Sequence, residues 1–390
     1  MTDSDITILG AGPVGAALAL LLASRLPDPG RLRLCRVARP PRPADQPDSA
    51  VTVRALALNH GSRTLLESLG AWPDLGAAIH TIHVSQRGRL GRTLIRHTDF
   101  GVPELGTVHA YDRLATRLDE ALAASGVQIV DGPVAAITGE TEGALRLAQG
   151  EALWTSRLVV QAEGGFDSAP AIERDYDQHA ILATVRADAP REGWAWERFT
   201  RDGPLALLPL RLGTTGTTHS LVWCCRPAQA HELLAASADD FAQALNTAFG
   251  ARLGRLEVTG PRLAQPLRLR WRRDPLGPRR IAIGNAAQTL HPVAGQGLNL
   301  GLRDAAQLAH ALGPWLARPT VDPMPTLRQF AGRRQADRLV TGTITDFLPR
   351  VFSTGLPPVE HACGLALLTL DTLPGLRAPL TRQLLLGLRS

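Results

Sequence analysis

Residues 281–304, IAIGNAAQTLHPVAGQGLNLGLRD, decide how the rest of the chain is read. The stretch opens as a short apolar strand over 281–283. It closes as a helix with Leu298, Leu300, Leu302, Ala305 and Leu308 at its apolar positions. Between them runs a nearly uncharged turn holding Pro292, Gly295 and Gly297. Glycine lacks a Cβ and proline fixes φ, so such a turn lets backbone approach a flat ligand closely. The following helix aims its free N–H groups and positive dipole end back at that ligand, which suits an anionic or electron-rich edge. The plainer reading is a tight strand-to-helix connection; the length and order of the string count against it.

A second glycine loop lies near the start. Residues 6–9 form an apolar strand, then Gly10-Ala11-Gly12-Pro13-Val14-Gly15, then an apolar helix over 16–23. This is the G-x-G-x-x-G dinucleotide fingerprint in its required strand–turn–helix setting. Gly10 makes the turn, Gly12 admits a diphosphate and Gly15 lets helix and strand pack closely. The next strand, 31–37, should end in an acid for the adenosine ribose, yet Cys35 and Arg36 stand there and no Asp or Glu follows until Asp45. An arginine accepts no hydrogen bond from a ribose hydroxyl. Either the ribose is held otherwise, or a dinucleotide binds weakly, or Arg36 reads a 2′-phosphate.

Composition narrows the function classes. The 390 residues are 44% apolar and 20% charged, ordinary for a globular chain with a large core. There is no lysine, so all 42 basic residues are arginine, and Schiff-base catalysis is excluded. The net charge of +6 permits acidic partners, but the arginines are scattered and not interleaved with aromatics, which argues against nucleic acid. A basic rim on anionic lipid headgroups is a better use of that charge. Four cysteines, two of them adjacent, match neither a disulfide framework nor a zinc site, so a reduced, cytoplasmic protein is expected. The uncharged run 6–24 is interrupted by three glycines and a proline, which suits neither a membrane span nor a signal peptide. The 11 histidines show no metal-ligand spacing.

The remaining chain reads as mixed α/β. Residues 39–47 are a proline-rich loop by composition, 51–58 a short strand, and 61–69 a helix capped by Ser62. Residues 81–95 suit a strand pair, 110–124 an amphipathic helix, and 127–130, 135–137 and 145–148 three small strands. From 180 to 271 the pattern is antiparallel β, interrupted by a helix over 238–249. Within it Trp194, Trp196, Phe199, Leu207, Pro209 and Trp223 offer apolar area either to a ligand or to the sheet's own core. Residues 325–341 form a basic amphipathic helix with Arg328, Arg333, Arg334 and Arg338. The tail, 361–390, mixes leucines and arginines, which suits either a membrane-resting segment or a helix pair covering the core.

The string 281–304 resembles the second flavin-contacting motif of the aromatic-ring hydroxylases, single-component FAD monooxygenases with the p-hydroxybenzoate hydroxylase fold. Most of that superfamily carries Gly-Asp where Gly284 and Asn285 stand, and His where Gln288 stands. Asn and Gln within GNAAQTLHP resemble one branch, the ubiquinone-biosynthesis hydroxylases acting on 2-polyprenyl-6-methoxyphenol. The likeness continues in HVSQRGRLG (83–91), ERFTRDGPLALLPL (197–210) and SLVWC (220–224).

The resemblance implies a Rossmann-like FAD-binding domain interleaved with an antiparallel β-sheet substrate domain, followed by C-terminal helices. The FAD-binding parts would be 1–75, 101–170 and 271–345, the substrate parts 76–100 and 171–270, and the terminal helices 346–390. It implies ring hydroxylation of a polyprenylated methoxyphenol through a flavin hydroperoxide, formed from NAD(P)H-reduced FAD and O₂. By the same resemblance Arg54 lies near the flavin, and Arg117, with Arg113 as the alternative, is the FAD-phosphate arginine. Glu163 stands for an Asp whose role is divided between flavin and nicotinamide.

Gly295, Gln296, Gly297, Leu298 and Asn299 would supply backbone to the isoalloxazine, Pro292 shape its substrate side, and Asn285 bond the ribityl or phosphate end. Leu208 and Pro209 would border the ring pocket. Two roles are open to His291: tuning the phenol proton, or a structural hydrogen bond. No residue is expected to be catalytic in the strict sense. Other ubiquinone-biosynthesis proteins and peripheral contact with the inner membrane face are implied partners. Two competing readings remain. One is a flavin fold kept as a structural member of a ubiquinone-biosynthesis complex with weak or lost FAD binding. The other is an enzyme acting on a small soluble aromatic.

Overall fold

The strand Ser4–Leu9 is buried at all six positions, as a central parallel strand covered on both faces must be. In the computed structural model, which describes residues 3–37, 54–164, 170–212, 218–373, 375–376, 378–379 and 381–382, it anchors an eight-stranded sheet. Leu32–Val37 pairs with it in parallel on one side and Ala152–Gln161 on the other, with Ile6 opposite Leu32 and Leu158. Gln128–Gly132 extends one flank and Arg280–Ala282 the other, both parallel. The helix Pro13–Ala23 is apolar nearly all round, because it is enclosed between this sheet and the helices Tyr111–Ala123 and Gln296–Leu316. The expected loop 39–47, Val51 to Val53, and the tail beyond Arg382 lie outside the described residues.

A second sheet of nine strands forms the other half. Its path runs Gln288–Thr289, Leu263–Trp271, Ile172–Ala187, Thr218–Cys225, Pro204–Leu210, Trp194–Phe199, Thr81–Gln86, Arg92–Arg96. One face carries Ile181, Trp196, Leu205, Leu207 and Trp223 against the helices Pro227–Ala235 and Ala238–Phe249, whose Phe241 and Phe249 complete a buried core. The other face turns toward the first sheet. Thr289 pairs with Arg270, and Gln288 with Trp271, so the 281–304 stretch is stitched directly into this sheet. A small three-stranded sheet, Ala55–Asn59, Gly106–Ala110 and Ala77–Ile79, fills the junction.

Three expectations change. The helix after Asn59 spans His60–Ser68 and is capped by Asn59, whose side chain accepts from the Ser62 N–H at 2.9 Å, so Ser62 is the capped residue. The helix placed at 325–341 runs Met324–Phe352. Its Arg334 and Arg338 are not solvated: they are 2% and 6% exposed and turn inward. Among the described residues no helix is long and apolar enough to cross a membrane.

Candidate active site

The two glycine loops face one groove. A cavity of about 1870 Å³ is lined at one end by Gly10, Gly12 and Pro13, at the other by Pro292, Gly295, Gln296, Gly297 and Leu298, and is roofed by the nine-stranded sheet. A usual small-molecule site has roughly 300–1,000 Å³, so this one has room for a dinucleotide and a second molecule. The glycines divide by role. Gly10 has φ +101°, and a Cβ there would lie 2.9 Å from the backbone of Glu163; one on Gly15 would lie 1.9 Å from the Gly10 carbonyl. A Cβ on Gly12 would meet nothing within 4 Å, because that side is open cavity.

Two helices start at the groove. Pro13–Ala23 begins with proline at its first position and has no side-chain cap. Gln296–Leu316 follows Gly295, which sits in the left-handed region at φ 59°, and it too lacks a side-chain cap. Neither start is capped by a side chain, and both dipoles point positive ends into the cavity. Arg54 also lines it, its guanidinium 5.2 Å from the Tyr111 ring centre. Glycine-bared walls and two helix starts facing one groove suit a dinucleotide such as FAD.

At the end of the cavity near the first glycine loop, Arg36 is not a lone cation. Its Nε donates to Asp131 at 2.6 Å and its Nη1 to Asp119 at 3.4 Å, and all three residues line the cavity. Asp131 stands directly opposite Arg36 in the parallel ladder, and the Arg36 hydrogen bond holds its carboxyl below the usual carboxylate range. Carboxylates missing from the second strand are thus present from the neighbouring strand and from the helix Tyr111–Ala123. Arg117 pairs with Glu120 at 2.6 Å; neither it nor Arg113 is among the lining residues.

The loop within 281–304 is held from behind by a buried ionic network. Asp304 accepts from the Gly284 N–H at 3.1 Å and Gln288 Nε2 at 2.9 Å through one oxygen, and from Arg334 Nε at 2.7 Å through the other. Arg303 pairs with Asp337 at 2.8 Å, and Arg338 donates to Gln288 Oε1 at 2.7 Å. Asn299 spends its side chain on the protein. Its amide donates to Ala57 and Gly295 carbonyls, and its oxygen accepts from the Asn59 N–H and Ser62 Oγ. Asn285, by contrast, is exposed on the cavity wall.

His291 lies at the wall with both ring nitrogens engaged. Nδ1 accepts from the Val293 N–H at 3.3 Å, so Nε2 carries the proton and donates to Gln178 Oε1 at 3.3 Å. Burial pushes its pKa down to about 4, keeping the ring neutral. Of the residues proposed for the substrate side, Leu208 and Phe199 line the cavity; Phe199 stacks on Phe352 with ring centres 4.0 Å apart. Trp223 and Pro209 do not line it. Trp223 points to the opposite sheet face, edge-on to Phe241 at 5.9 Å.

Sequence reading passed over Glu197, Asp119, Asp131 and the Asp304–Arg334 pair. Glu197 carried a signal: it is the one carboxyl in the strand WAWERF.

A family model described as an FAD binding domain matches residues 3–318. Over 92% of this chain and 84% of the relative, the sequence is 31% identical to ubiquinone hydroxylase UbiL of Rhodospirillum rubrum. It is 29% identical to 3-demethoxyubiquinol 3-hydroxylase of Escherichia coli, covering 94% and 95% of the two chains. It is 27% identical to the mitochondrial ubiquinone biosynthesis monooxygenase COQ6 of Rattus norvegicus, covering 92% and 86%. Among solved structures, p-nitrophenol 4-monooxygenase PnpA of Pseudomonas putida superposes over the whole of both chains with TM-score 0.71 at 15% identity, a likeness of fold. The groove, its glycines and these relatives converge: the chain belongs to the FAD-binding-domain family of ubiquinone-biosynthesis hydroxylases, flavoprotein aromatic-ring monooxygenases.

Proposed function

We propose that this chain hydroxylates the ring of a polyprenylated methoxyphenol on the way to ubiquinone, with NAD(P)H as electron donor. The observation that carries the reading is the single cavity joining both glycine loops to an apolar sheet wall that reaches the C-terminal helices. Bound FAD, once reduced, supplies the oxygen activation that no side chain offers. The protein's share is binding, orientation and exclusion of water.

In this reading Gly10, Gly12 and Gly15 admit the diphosphate to the first helix start. Gly295, Gln296, Gly297 and Leu298 present backbone to the ring system, with Pro292 on its substrate side. Arg54 and Asn285 serve from the walls, and Asn299 acts by fixing the loop. Arg117 is the least supported member, because its side chain is engaged by Glu120. Residues 1–75, 101–170 and 271–345 make the flavin unit, 76–100 and 171–270 the substrate unit, and 346–390 the terminal helices.

Leu208 and Phe199 border the substrate. The wall continues through Leu348, Phe352, Leu367 and Leu370, which suits an isoprenoid tail. Exposed Leu339 and Phe347 on the helix Met324–Phe352, Leu356 just beyond it, and Leu365 and Leu368 on the helix Pro357–Thr372 favour peripheral contact with a membrane, or with other ubiquinone-biosynthesis proteins. The reading as a flavin fold without flavin loses support, since Asp131 and Asp119 accompany Arg36 and the groove is open. The test is product mass: FAD-loaded protein, NAD(P)H and a short-chain prenylated methoxyphenol should yield the phenol plus one oxygen. Oxidation of NAD(P)H stimulated only by small unprenylated phenols would move the substrate class.

A further inference from the structure

Glu197 sits in the middle of the strand Trp194–Phe199, on the face it shares with Ala195 and Phe199, and lines the cavity beneath the sheet. Its cross-strand partners are Ala206 and Val84, and Leu208, Val222 and Cys224 lie on the same wall. Among the described residues its carboxyl has no hydrogen bond and no salt bridge, and the half-buried side chain faces the cavity. A carboxyl without a protein donor on an apolar wall costs free energy, and a sheet needing only packing would place an apolar side chain here. The missing partner is therefore a donor that arrives with a ligand.

We infer that Glu197 receives the phenolic hydroxyl of the substrate, which makes it a catalytic residue for the ring hydroxylation; this rests on the prenylated-phenol reading above. In the step, the phenol O–H bond breaks and an O–H bond forms on the Glu197 carboxylate. The electron pair stays on the phenolate oxygen and enriches the ring; nothing is oxidised or reduced in that transfer. The tail then extends along the apolar wall toward Phe199, Phe352 and Leu367.

The surroundings fit a proton acceptor near neutral pH. Burial alone raises the Glu197 carboxyl to about 7, close to the pH at which a general base works best. Of the groups facing it, the titratable one within electrostatic reach is the Cys224 thiol, itself held protonated by burial and by Glu197. His83 and Arg198 lie on the opposite face. His83 packs against Trp196, and Arg198 donates to the Ala248 carbonyl and Ser85 Oγ. The terminal helices present Leu348, Phe352 and Leu367 to the cavity, all apolar. Arg54, Arg268, Arg270, Arg280, Glu163 and His291 line other walls and do not shift the carboxyl.

The test uses full-length, FAD-loaded protein and a short-chain prenylated 2-methoxyphenol, with binding followed by perturbation of the flavin absorbance between pH 6 and 8.5. For the wild type, affinity should rise about tenfold per pH unit below 7 and level off above it, because binding requires the ionised carboxylate. Glu197→Gln should bind the phenol about tenfold more weakly at pH 8, with a flat pH profile and unchanged FAD affinity. Glu197→Asp should restore the slope. A Glu197→Gln profile matching the wild type in affinity and slope overturns the inference while leaving the substrate reading intact. A wild type whose flavin responds to no prenylated phenol at any pH overturns both.

Discussion

Gly12 and Gly15 are one helical turn apart and differ in what a side chain would strike. A Cβ on Gly15 collides with the Gly10 carbonyl at 1.9 Å, whereas one on Gly12 enters open cavity. Gly12→Val should therefore abolish flavin binding and leave the melting temperature of the flavin-free protein nearly unchanged. Gly15→Val should fail to give soluble, cooperative protein; flavin titration and thermal unfolding of both variants separate the two roles. If the adenosine lies beside Arg36, Asp131→Asn should weaken FAD about tenfold, measured by fluorescence quenching, because it removes a charge-assisted acceptor. Unchanged affinity would mean that the ribose is held by other groups. These glycines were legible in the sequence because they stand between a strand and a helix at fixed spacing. Asp131 was not: it comes within reach of Arg36 only through the parallel register of two strands about 95 residues apart.

The loop within 281–304 is an element held by charge at its back. Asp304 bonds the Gly284 N–H, Gln288 and Arg334 at once, and Arg334 is fully buried. Removing one partner of a buried pair leaves an uncompensated charge, so Asp304→Ala should lose about 3–5 kcal/mol in denaturant unfolding. Its residual folded fraction should also bind FAD poorly, since the loop loses its anchor. The pattern of 325–341 reads as a basic amphipathic helix, yet two of its arginines, Arg334 and Arg338, point into the protein, where Asp304, Asp337 and Gln288 receive them. Periodicity finds a stripe; it does not say whether the stripe meets water or a partner carboxylate. The same limit explains Trp223. Both faces of its strand are apolar, one toward the cavity and one toward Phe241, so alternation alone left its direction open.

Across the whole molecule, two sets of buried groups pull stability in opposite directions with pH. His83, His109, His219 and His291 are held neutral by burial, each with a pKa lowered from 6.5 to about 4. Folded values below the unfolded ones mean that their contribution is complete above about 6.5 and is lost as pH falls toward 4. Glu197 is raised from 4.5 to about 7, so its contribution is complete below 4.5 and is lost as pH rises through 7. Melting temperature of the flavin-free protein should fall steeply from pH 6.5 to 4. Glu197→Gln should be more stable than wild type at pH 8, by about 1–3 kcal/mol, and lose that advantage by pH 5.

The most direct measurement is flavin stoichiometry of the purified chain, with FAD titrated into the flavin-free form and followed by thermal shift. A yellow protein carrying close to one FAD per chain, stabilised further as free FAD rises and colourless in the Gly12→Val variant, is the expected result. A colourless wild type whose melting temperature does not move at tens of micromolar FAD would contradict a groove built for that cofactor.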